Sequence, residues 1–324
     1  MTAILRTVSV SGGKDSTALY LWAIEQFGKD GFLAVFADTG HEHPVTLNYV
    51  RNLPEMAGGP AISWVRADFR QRLRKRFTTE NDKRTPGAKA LYKRLRPWLA
   101  ERDYSSGNTF LDLIIWKGRV PASRSQFCTE HLKLEPIREW LASVRGDAEV
   151  HQYVGIRAGE SLRRSKMPEE DHNAYFDCTV KRPLLHWSEA DVFDYLRAKG
   201  IEPNPLYAAG FKRVGCFPCI HSRKSELAML PEWAWDKLEE WERVIGRSWF
   251  APGHIPISAE AKKELAGLDR KDPEQYARFV KLIVPTTTQV RAWSKTTRGG
   301  AIIDMFAPDE ADVPSCMSTW GTCE

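Results

Sequence analysis

The sequence lacks the features that mark membrane, secreted and disordered proteins. No stretch approaches the roughly 18 consecutive apolar residues that a membrane-spanning helix needs, and the first residues lead into a predicted strand instead of a cleavable signal. Low-complexity runs and tandem repeats are absent. Cysteine is sparse, with six in 324 residues at irregular spacing, which is unlike a disulfide scaffold. We therefore predict a cytoplasmic globular protein with no membrane partner, in which the thiols serve metal or redox chemistry.

The Walker phosphate loop is also absent, but a different glycine-rich loop, Ser11-Gly-Gly-Lys-Asp-Ser-Thr17, follows the first predicted strand. Its glycines permit a tight turn and a close backbone approach. The amino end of the helix predicted after it provides a positive field for an anion, to which Lys14 adds a full charge. The loop predicts a phosphate site; the alternative is a glycine turn that only caps a helix, which the strand–loop–helix context disfavours.

Alternating hydrophobic patterns predict the fold class. The first 70 residues alternate short apolar runs with amphipathic stretches, as expected for βαβαβ with parallel strands, and a further strand is predicted near residues 151–156. We predict an α/β fold with a doubly wound, mostly parallel sheet and a helical C-terminal extension. The nucleotide-binding domain would span residues 1–225 with a helical insertion at about 70–124, and residues 226–324 would form a Trp-rich helical region with a polar tail.

Positive charge is concentrated in one segment. Residues 66–96 contain twelve Lys or Arg against three Asp or Glu, whereas the whole chain has a net charge of only +5. Such a segment can contact the phosphates of a nucleic acid, or it can be a solvated helical surface. Nucleic acid is therefore a candidate partner, and both interpretations stay open at this stage.

The loop resembles the Ser-Gly-Gly-x-Asp-Ser signature of the ATP pyrophosphatase (PP-loop) superfamily. Four later segments are similar to the phosphoadenosine phosphosulfate (PAPS) reductase branch of that superfamily. These segments are Ala37-Asp-Thr-Gly-His-Glu-His-Pro-Val-Thr46, Phe127-Cys-Thr-Glu-His-Leu-Lys-Leu-Glu-Pro-Ile137, Gly155-Ile-Arg-Ala-Gly-Glu-Ser161, and the stretch from Asn204-Pro-Leu-Tyr207 to Gly215-Cys-Phe-Pro-Cys219. The resemblance covers about two-thirds of the chain and implies an adenine nucleotide alpha hydrolase-like fold.

The resemblance also implies site residues. Binding of ATP, or of a sulfonucleotide such as APS or PAPS, would involve the loop and the strand ends. The implied residues are Ser11, Gly12, Gly13, Lys14, Asp15, Ser16, Thr17, Asp38, Thr39, Gly40, Lys133, Gly155 and Arg157. Among these, Lys14, Asp15 and Asp38 would be catalytic, with the two carboxylates organising Mg²⁺ or the ribose.

The cysteines imply a metal centre. Cys216-Phe-Pro-Cys219 places two thiolates near each other, and Cys128 lies in a segment that the family packs nearby. Three thiolates can hold a [4Fe–4S] cluster with one iron open to hydrosulfide, and Cys178 is a possible fourth ligand that would close it. Zn²⁺ suits four ligands equally well; a redox dithiol or inert thiols are further alternatives.

Departures from the reductase pattern favour a different reaction. The chain lacks the reductases' Glu-Cys-Gly-x-His tail, and its loop is intact, as in members that hydrolyse ATP. This combination resembles DNA phosphorothioation enzymes and phage or mobile-element relatives. We expect an ATP-dependent, AMP- and PPi-forming sulfurtransferase acting on nucleic acid or a nucleotide, with a cysteine desulfurase or thioredoxin-like protein as possible donor. The alternatives are a sulfonucleotide reductase that uses Cys316 or Cys323, and a non-catalytic nucleotide- or nucleic-acid-binding accessory protein.

Overall fold

The computed structural model describes residues 3–79, 86–122 and 125–297, so Cys316 and Cys323 lie outside the described residues. The strands are β1 (Ile4–Val10), β2 (Leu33–Ala37), β3 (Ile62–Val65), β4 (Glu149–Tyr153), β5 (Glu170–Asn173) and β6 (Cys178–Lys181). The α-helices are α1 (Lys14–Phe27), α2 (Pro44–Ala57), α3 (Arg70–Thr78), α4 (Pro86–Ala100), α5 (Thr109–Lys117), α6 (Phe127–Thr129), α7 (Glu135–Val144), α8 (Glu189–Ala198), α9 (Lys224–Ala228), α10 (Glu232–Ile245), α11 (Ala259–Ala266), α12 (Pro273–Ile283) and α13 (Thr287–Ser294). A π-helical turn, Glu130–Leu134, joins α6 to α7.

The strands form one six-stranded sheet in the order β3-β2-β1-β4-β6-β5. All neighbouring strands are parallel except β5, which runs antiparallel to β6 at the edge. The predicted mostly parallel α/β sheet is therefore confirmed. Because β1, β2 and β4 run in one direction, their carboxyl ends lie at the same edge of the sheet, where folds of this type place ligands.

Both faces of the sheet are covered. Successive side chains of a strand point to opposite faces, and in β2 the residues Ala34 and Phe36 belong to one buried cluster while Val35 and Ala37 belong to another. The first cluster includes residues of α1, α2 and α8, and the second includes residues of α7. The sheet is thus doubly wound, as predicted.

The contacts divide the chain into two compact units. Among the described residues, the first unit contains residues 3–68 and 126–221, which include the sheet, and the second contains 69–125 and 222–297 apart from the gaps above. The helical C-terminal extension is confirmed by α9 to α13 of the second unit. The predicted domain boundary at residue 225 stays a prediction. None of the helices in the described ranges is long and apolar enough to cross a membrane.

The tryptophans of the C-terminal extension serve mainly as core residues. Trp235, Trp241 and Trp249 are buried within the second unit, while Trp233 is exposed. The ring of Trp241 stacks on that of Phe110, with 5.7 Å between centroids. Packing within the second unit accounts for the burial of these three side chains.

Candidate active site

The glycine-rich loop follows β1 directly, at the carboxyl edge of the sheet. Gly12 has φ +84°, and a Cβ atom there would lie 2.8 Å from methyl groups of Thr46 and Val50, so both backbone and space require glycine. Gly13 is the N-cap of α1 and provides no side-chain hydrogen bond to the first turn. No side chain of the N-cap residue therefore occupies the amino end of α1, which is a favourable place for an anion.

Two residues from a distant segment hold the loop in place. The Asn204 side-chain amide donates to the Gly12 carbonyl over 3.1 Å, and the backbone N–H of Lys14 donates to the Tyr207 hydroxyl over 3.0 Å. Within the loop, the Ser16 hydroxyl donates to the Gly13 carbonyl over 3.0 Å. Asn204 and Tyr207 begin and end the Asn-Pro-Leu-Tyr segment, which the family resemblance singled out. That resemblance did not predict a role for either residue.

Lys14 and Asp15 lie in a buried network of charges. The Lys14 Nζ is 3.4 Å from Asp15 Oδ2 and 3.5 Å from Glu189 Oε1. Asp15 is completely buried, and its Oδ1 accepts a hydrogen bond of 2.5 Å from Arg157 Nε. The structure therefore brings the predicted residues Lys14, Asp15 and Arg157 together. The Asp15 carboxylate is shielded from solvent and lies between these two cations.

Gly155 brings the end of β4 directly against the loop. A Cβ atom at this position would lie 3.0 Å from both the carbonyl carbon and the carbonyl oxygen of Asp15, and 3.2 Å from the backbone nitrogen of Ser16. All three neighbours are backbone atoms at the start of α1, so they cannot rotate away as a side chain would. Gly155 thus acts through the close approach that it permits.

Replacing Gly155 with alanine is expected to lower the free energy of unfolding by about 1–3 kcal/mol, the cost of overpacking a tight site. Urea denaturation would measure this change. Gly159→Ala is the matched control, because a Cβ atom there meets nothing within 4 Å; it should change the free energy by less than about 0.5 kcal/mol. Equal losses in the two variants would contradict the close-packing role of Gly155.

The segment after β2 carries the next predicted residues. Asp38 is buried; its Oδ1 accepts from the Gly40 N–H over 2.9 Å, and its other oxygen pairs with Arg66. The Thr39 hydroxyl donates to Glu42 Oε1 over 2.6 Å and lies 3.8 Å from Cys216 Sγ. The end of β2 is therefore linked directly to the cysteine segment.

Glu42 is a site residue that the sequence did not reveal. It is buried, and burial raises the pKa of its carboxyl group above the ordinary value, with Asp38 adding to the effect. Its backbone forms an isolated antiparallel bridge with Cys216. The run Gly-His-Glu-His-Pro contains nothing that distinguishes a buried carboxyl from an exposed loop residue, so only the folded chain identifies it.

Three cysteines meet at one cavity of the first unit. Its lining includes Cys128, Cys216 and Cys219, together with Thr39 and Lys133. Lys133 is buried and also lines a second cavity, which contains Ser11 of the loop and the carboxyl ends of β1 and β2. Ser11 of the loop and the predicted metal ligands thus line two cavities that share Lys133.

The fourth cysteine considered, Cys178, is not brought to this cavity. It begins β6, and the next residue, Thr179, pairs with His151, the middle residue of β4, so Cys178 lies one step closer to the amino end. Since β4 and β6 are parallel, Cys178 lies toward the amino edge of the sheet, opposite the edge that carries the loop. Its Sγ is 3.7 Å from the Gln152 side-chain oxygen, and burial raises the pKa of its thiol to about 12. Such a thiol resists forming the thiolate that metals bind.

The spacing of the three thiols can be compared with the spacing of ligands around a single zinc ion. Thiolates around one tetrahedral zinc ion stand about 3.8 Å apart, given Zn–S bonds of about 2.3 Å. Among the described residues, three ligand atoms lie within 4.8 Å of one another at Glu130, His131 and Glu135, and the cysteines form no such group. The three thiols are therefore not all as close together as the ligands of one zinc ion.

Some cations of the basic segment 66–96 lie over aromatic rings, and others are exposed to solvent. Several arginines of α3 lie over aromatic rings of the second unit, as Arg72 does over Trp116 at 5.0 Å and Arg76 over Tyr92 at 5.3 Å. These arginines contribute to packing. On α4, the exposed cations Lys89, Lys93 and Arg96 recur at a spacing of four and three residues, so they share one helical face.

Comparison with known proteins identifies the family that this chain resembles in sequence. Residues 6–85 and 111–222 match the sequence model of the phosphoadenosine phosphosulfate reductase domain. An uncharacterised 37.8 kDa protein of Escherichia phage 186 is 37% identical over 99% of this chain and 97% of its own length. The adenosine 5′-phosphosulfate reductase of Burkholderia cepacia is 32% identical, but the match covers only 41% of this chain and 51% of that enzyme.

A crystal structure of PAPS reductase from Candida auris, in a phosphate complex, aligns with 68% of this chain and 83% of its own. The identity is 16% and the TM-score 0.41. The family model covers more than half of the residues, and the phage relative extends over nearly the whole chain. This chain therefore belongs to the phosphoadenosine phosphosulfate reductase family.

Proposed function

We propose that this chain is an ATP-dependent sulfurtransferase that releases AMP and pyrophosphate and acts on nucleic acid or a nucleotide. The observation that carries the proposal is the position of Lys133, which lines both the cavity beside the phosphate loop and the cavity of the three cysteines. A site that activates an acceptor with ATP and a site that handles sulfur would then be adjacent. An enzyme that only hydrolysed ATP would have no use for the second cavity.

In this proposal the loop binds the triphosphate through the amino end of α1 and through Lys14. The incoming phosphates replace Glu189, which is exposed, as the counter-ion of Lys14, while the buried Asp15 keeps both Lys14 and Arg157 in position.

An acceptor oxygen attacks the α-phosphorus, and the α–β phosphoanhydride bond breaks to release pyrophosphate. A sulfur nucleophile then attacks the acceptor carbon, and the C–O bond breaks as AMP leaves with the oxygen. Lys14 and Lys133 stabilise the negative charge that develops on the phosphates.

We infer that the metal centre is an iron–sulfur cluster, because the resemblance to the family implies one. Cys128, Cys216 and Cys219 would hold it, and when bound it would supply a position for hydrosulfide near the nucleotide. The residues fit Mg²⁺ less well, because Asp15 is sealed and both oxygens of Asp38 already have partners. We therefore assign no step to Mg²⁺.

A second candidate, sulfonucleotide reduction to sulfite, is favoured by relatives that carry the name adenosine 5′-phosphosulfate reductase. Two assays on the anaerobically purified chain separate the candidates. Pyrophosphate release from ATP that depends on an added acceptor supports the sulfurtransferase. Sulfite release from a sulfonucleotide with thioredoxin, and no pyrophosphate from ATP, would establish the reductase instead. ATP binding without either product is the result expected of an accessory protein.

The exposed face of α4 is proposed as a contact for nucleic acid phosphates. Replacing Lys89, Lys93 and Arg96 together with alanine is expected to lower the salt slope of DNA binding by about 2–3, because each lost phosphate contact removes about 0.7–0.9 from it. Fluorescence anisotropy with labelled single- and double-stranded oligonucleotides would measure this.

The matched control replaces Lys262, Lys263 and Lys271, which are also exposed cations of the second unit. This variant loses the same net charge, so it should keep most of the wild-type slope. An unchanged slope in the α4 variant, or an equal loss in both variants, would leave the α4 face as an ordinary solvated surface.

A further inference from the structure

We propose that His221 is the fourth protein ligand of the metal centre at the three cysteines, and that it is the exchangeable one. The inference rests on the proposed function only in assuming that Cys128, Cys216 and Cys219 hold a metal centre. It begins from their number, since three protein ligands leave one position of a tetrahedral or cubane centre without a donor from the chain.

Cysteine does not provide the missing ligand within the described part of the chain. The cysteines there are the three of the cavity and Cys178. Cys178 starts β6 toward the opposite edge of the sheet, and its thiol is buried beside Gln152. Moving it to the cavity would require unpairing β6 from β4, so among the described residues a fourth ligand has to be of another type.

The cavity itself contains a suitable donor. Its lining includes the side chains or backbone of Thr39, Gln126, Lys133 and His221 in addition to the three cysteines. An ammonium group has no lone pair, and hydroxyl and amide oxygens are hard donors that iron–sulfur centres and zinc seldom take. Imidazole suits both metals. His221 follows Cys219 by two residues, and its Nε2 is shielded from solvent.

Other histidines near the cavity are engaged elsewhere. His131 Nδ1 lies 2.7 Å from Glu135 Oε1, an interaction along the helix axis, and His131 does not line the cavity. His41 Nε2 lies 3.0 Å from the Pro218 carbonyl oxygen, which connects two loops of the first unit. Of the histidines in this region, His221 is therefore the one that shares a cavity with the thiols.

A histidine at this position has a chemical consequence. Imidazole is neutral and a borderline donor, whereas the three thiolates are soft anions. A soft anionic sulfur ligand such as hydrosulfide competes better for the imidazole position than for the thiolate positions. His221 would thus protect the fourth position at rest and mark it as the one where sulfur enters.

The test is pulsed electron paramagnetic resonance on the full chain, purified anaerobically and reduced with dithionite, after its iron and zinc have been measured. Wild-type protein is expected to show hyperfine coupling to a metal-bound nitrogen that changes when the histidines are labelled with ¹⁵N. His221→Ala and His221→Cys should lose this coupling, and His221→Cys should retain its iron. His172→Ala, at an exposed histidine of the first unit, is the control and should retain the coupling.

The outcomes separate this inference from the proposed function. An iron-loaded wild type without histidine coupling, or a coupling that persists in both His221 variants, overturns the assignment of His221 and leaves the cluster intact. A wild type with neither iron nor zinc contradicts the metal centre itself, and the inference falls with it. If the chain carries zinc, X-ray absorption with three sulfurs and one nitrogen supports His221, while four sulfurs contradict it.

Discussion

Replacing Lys14 with alanine is expected to reduce pyrophosphate release from ATP by about 100- to 1000-fold, the cost of removing one preorganised group that stabilises developing charge. Lys14 is the cation of the loop, and it is already buried and held beside Asp15. Its charge is therefore oriented before the nucleotide arrives. The measurement is the initial rate of pyrophosphate formation with ATP and acceptor, compared with wild type at saturating ATP.

The control for this prediction is Lys29→Ala, an exposed lysine of the same unit just beyond the end of α1. It removes the same charge and should leave the rate within about twofold of wild type, since surface substitutions rarely perturb a structure. Thermal unfolding of both variants would show whether the fold survives. A folded Lys14→Ala protein with a wild-type rate would contradict the phosphate role of the loop.

Serine at Cys128, Cys216 or Cys219 is expected to remove most of the bound iron, with loss of the brown chromophore. Each of the three lines the same cavity, and a hydroxyl is a poor replacement for a soft thiolate ligand. Iron and acid-labile sulfide per chain, measured after anaerobic purification, would give the effect. Retention of wild-type iron in any one variant would exclude that cysteine from the ligands.

Cys178→Ala is the informative control, because it removes a buried thiol of the same unit that lies away from the cavity. It should retain the iron, although a small cavity in the second core cluster is expected to cost about 1 kcal/mol of stability. Equal loss of iron in Cys178→Ala and in the cavity variants would show that iron content reports on general stability and not on ligation.

Features that depend on contiguous residues could be predicted from the sequence. The loop Ser11-Gly-Gly-Lys-Asp-Ser16 combines strand, turn and helix start within a few residues, so its residue types alone indicate where a phosphate can bind. Periodicity likewise predicts the parallel sheet, because each βαβ unit is encoded in one continuous stretch. The grouping of Cys128 with Cys216 and Cys219 followed from the family resemblance, whereas residue type alone did not separate these three from Cys178.

Contacts between distant segments were decided by the tertiary structure. Glu42 resembles any loop carboxyl until the chain folds it against Thr39 and Cys216. Cys178 resembles the other cysteines until strand register places it toward the opposite edge of the sheet, and His221 is one of eight histidines until it lines the thiol cavity. The physical reason is that burial and ligation depend on how strands and loops far apart in the chain align, and residue spacing along the sequence carries no direct record of that alignment.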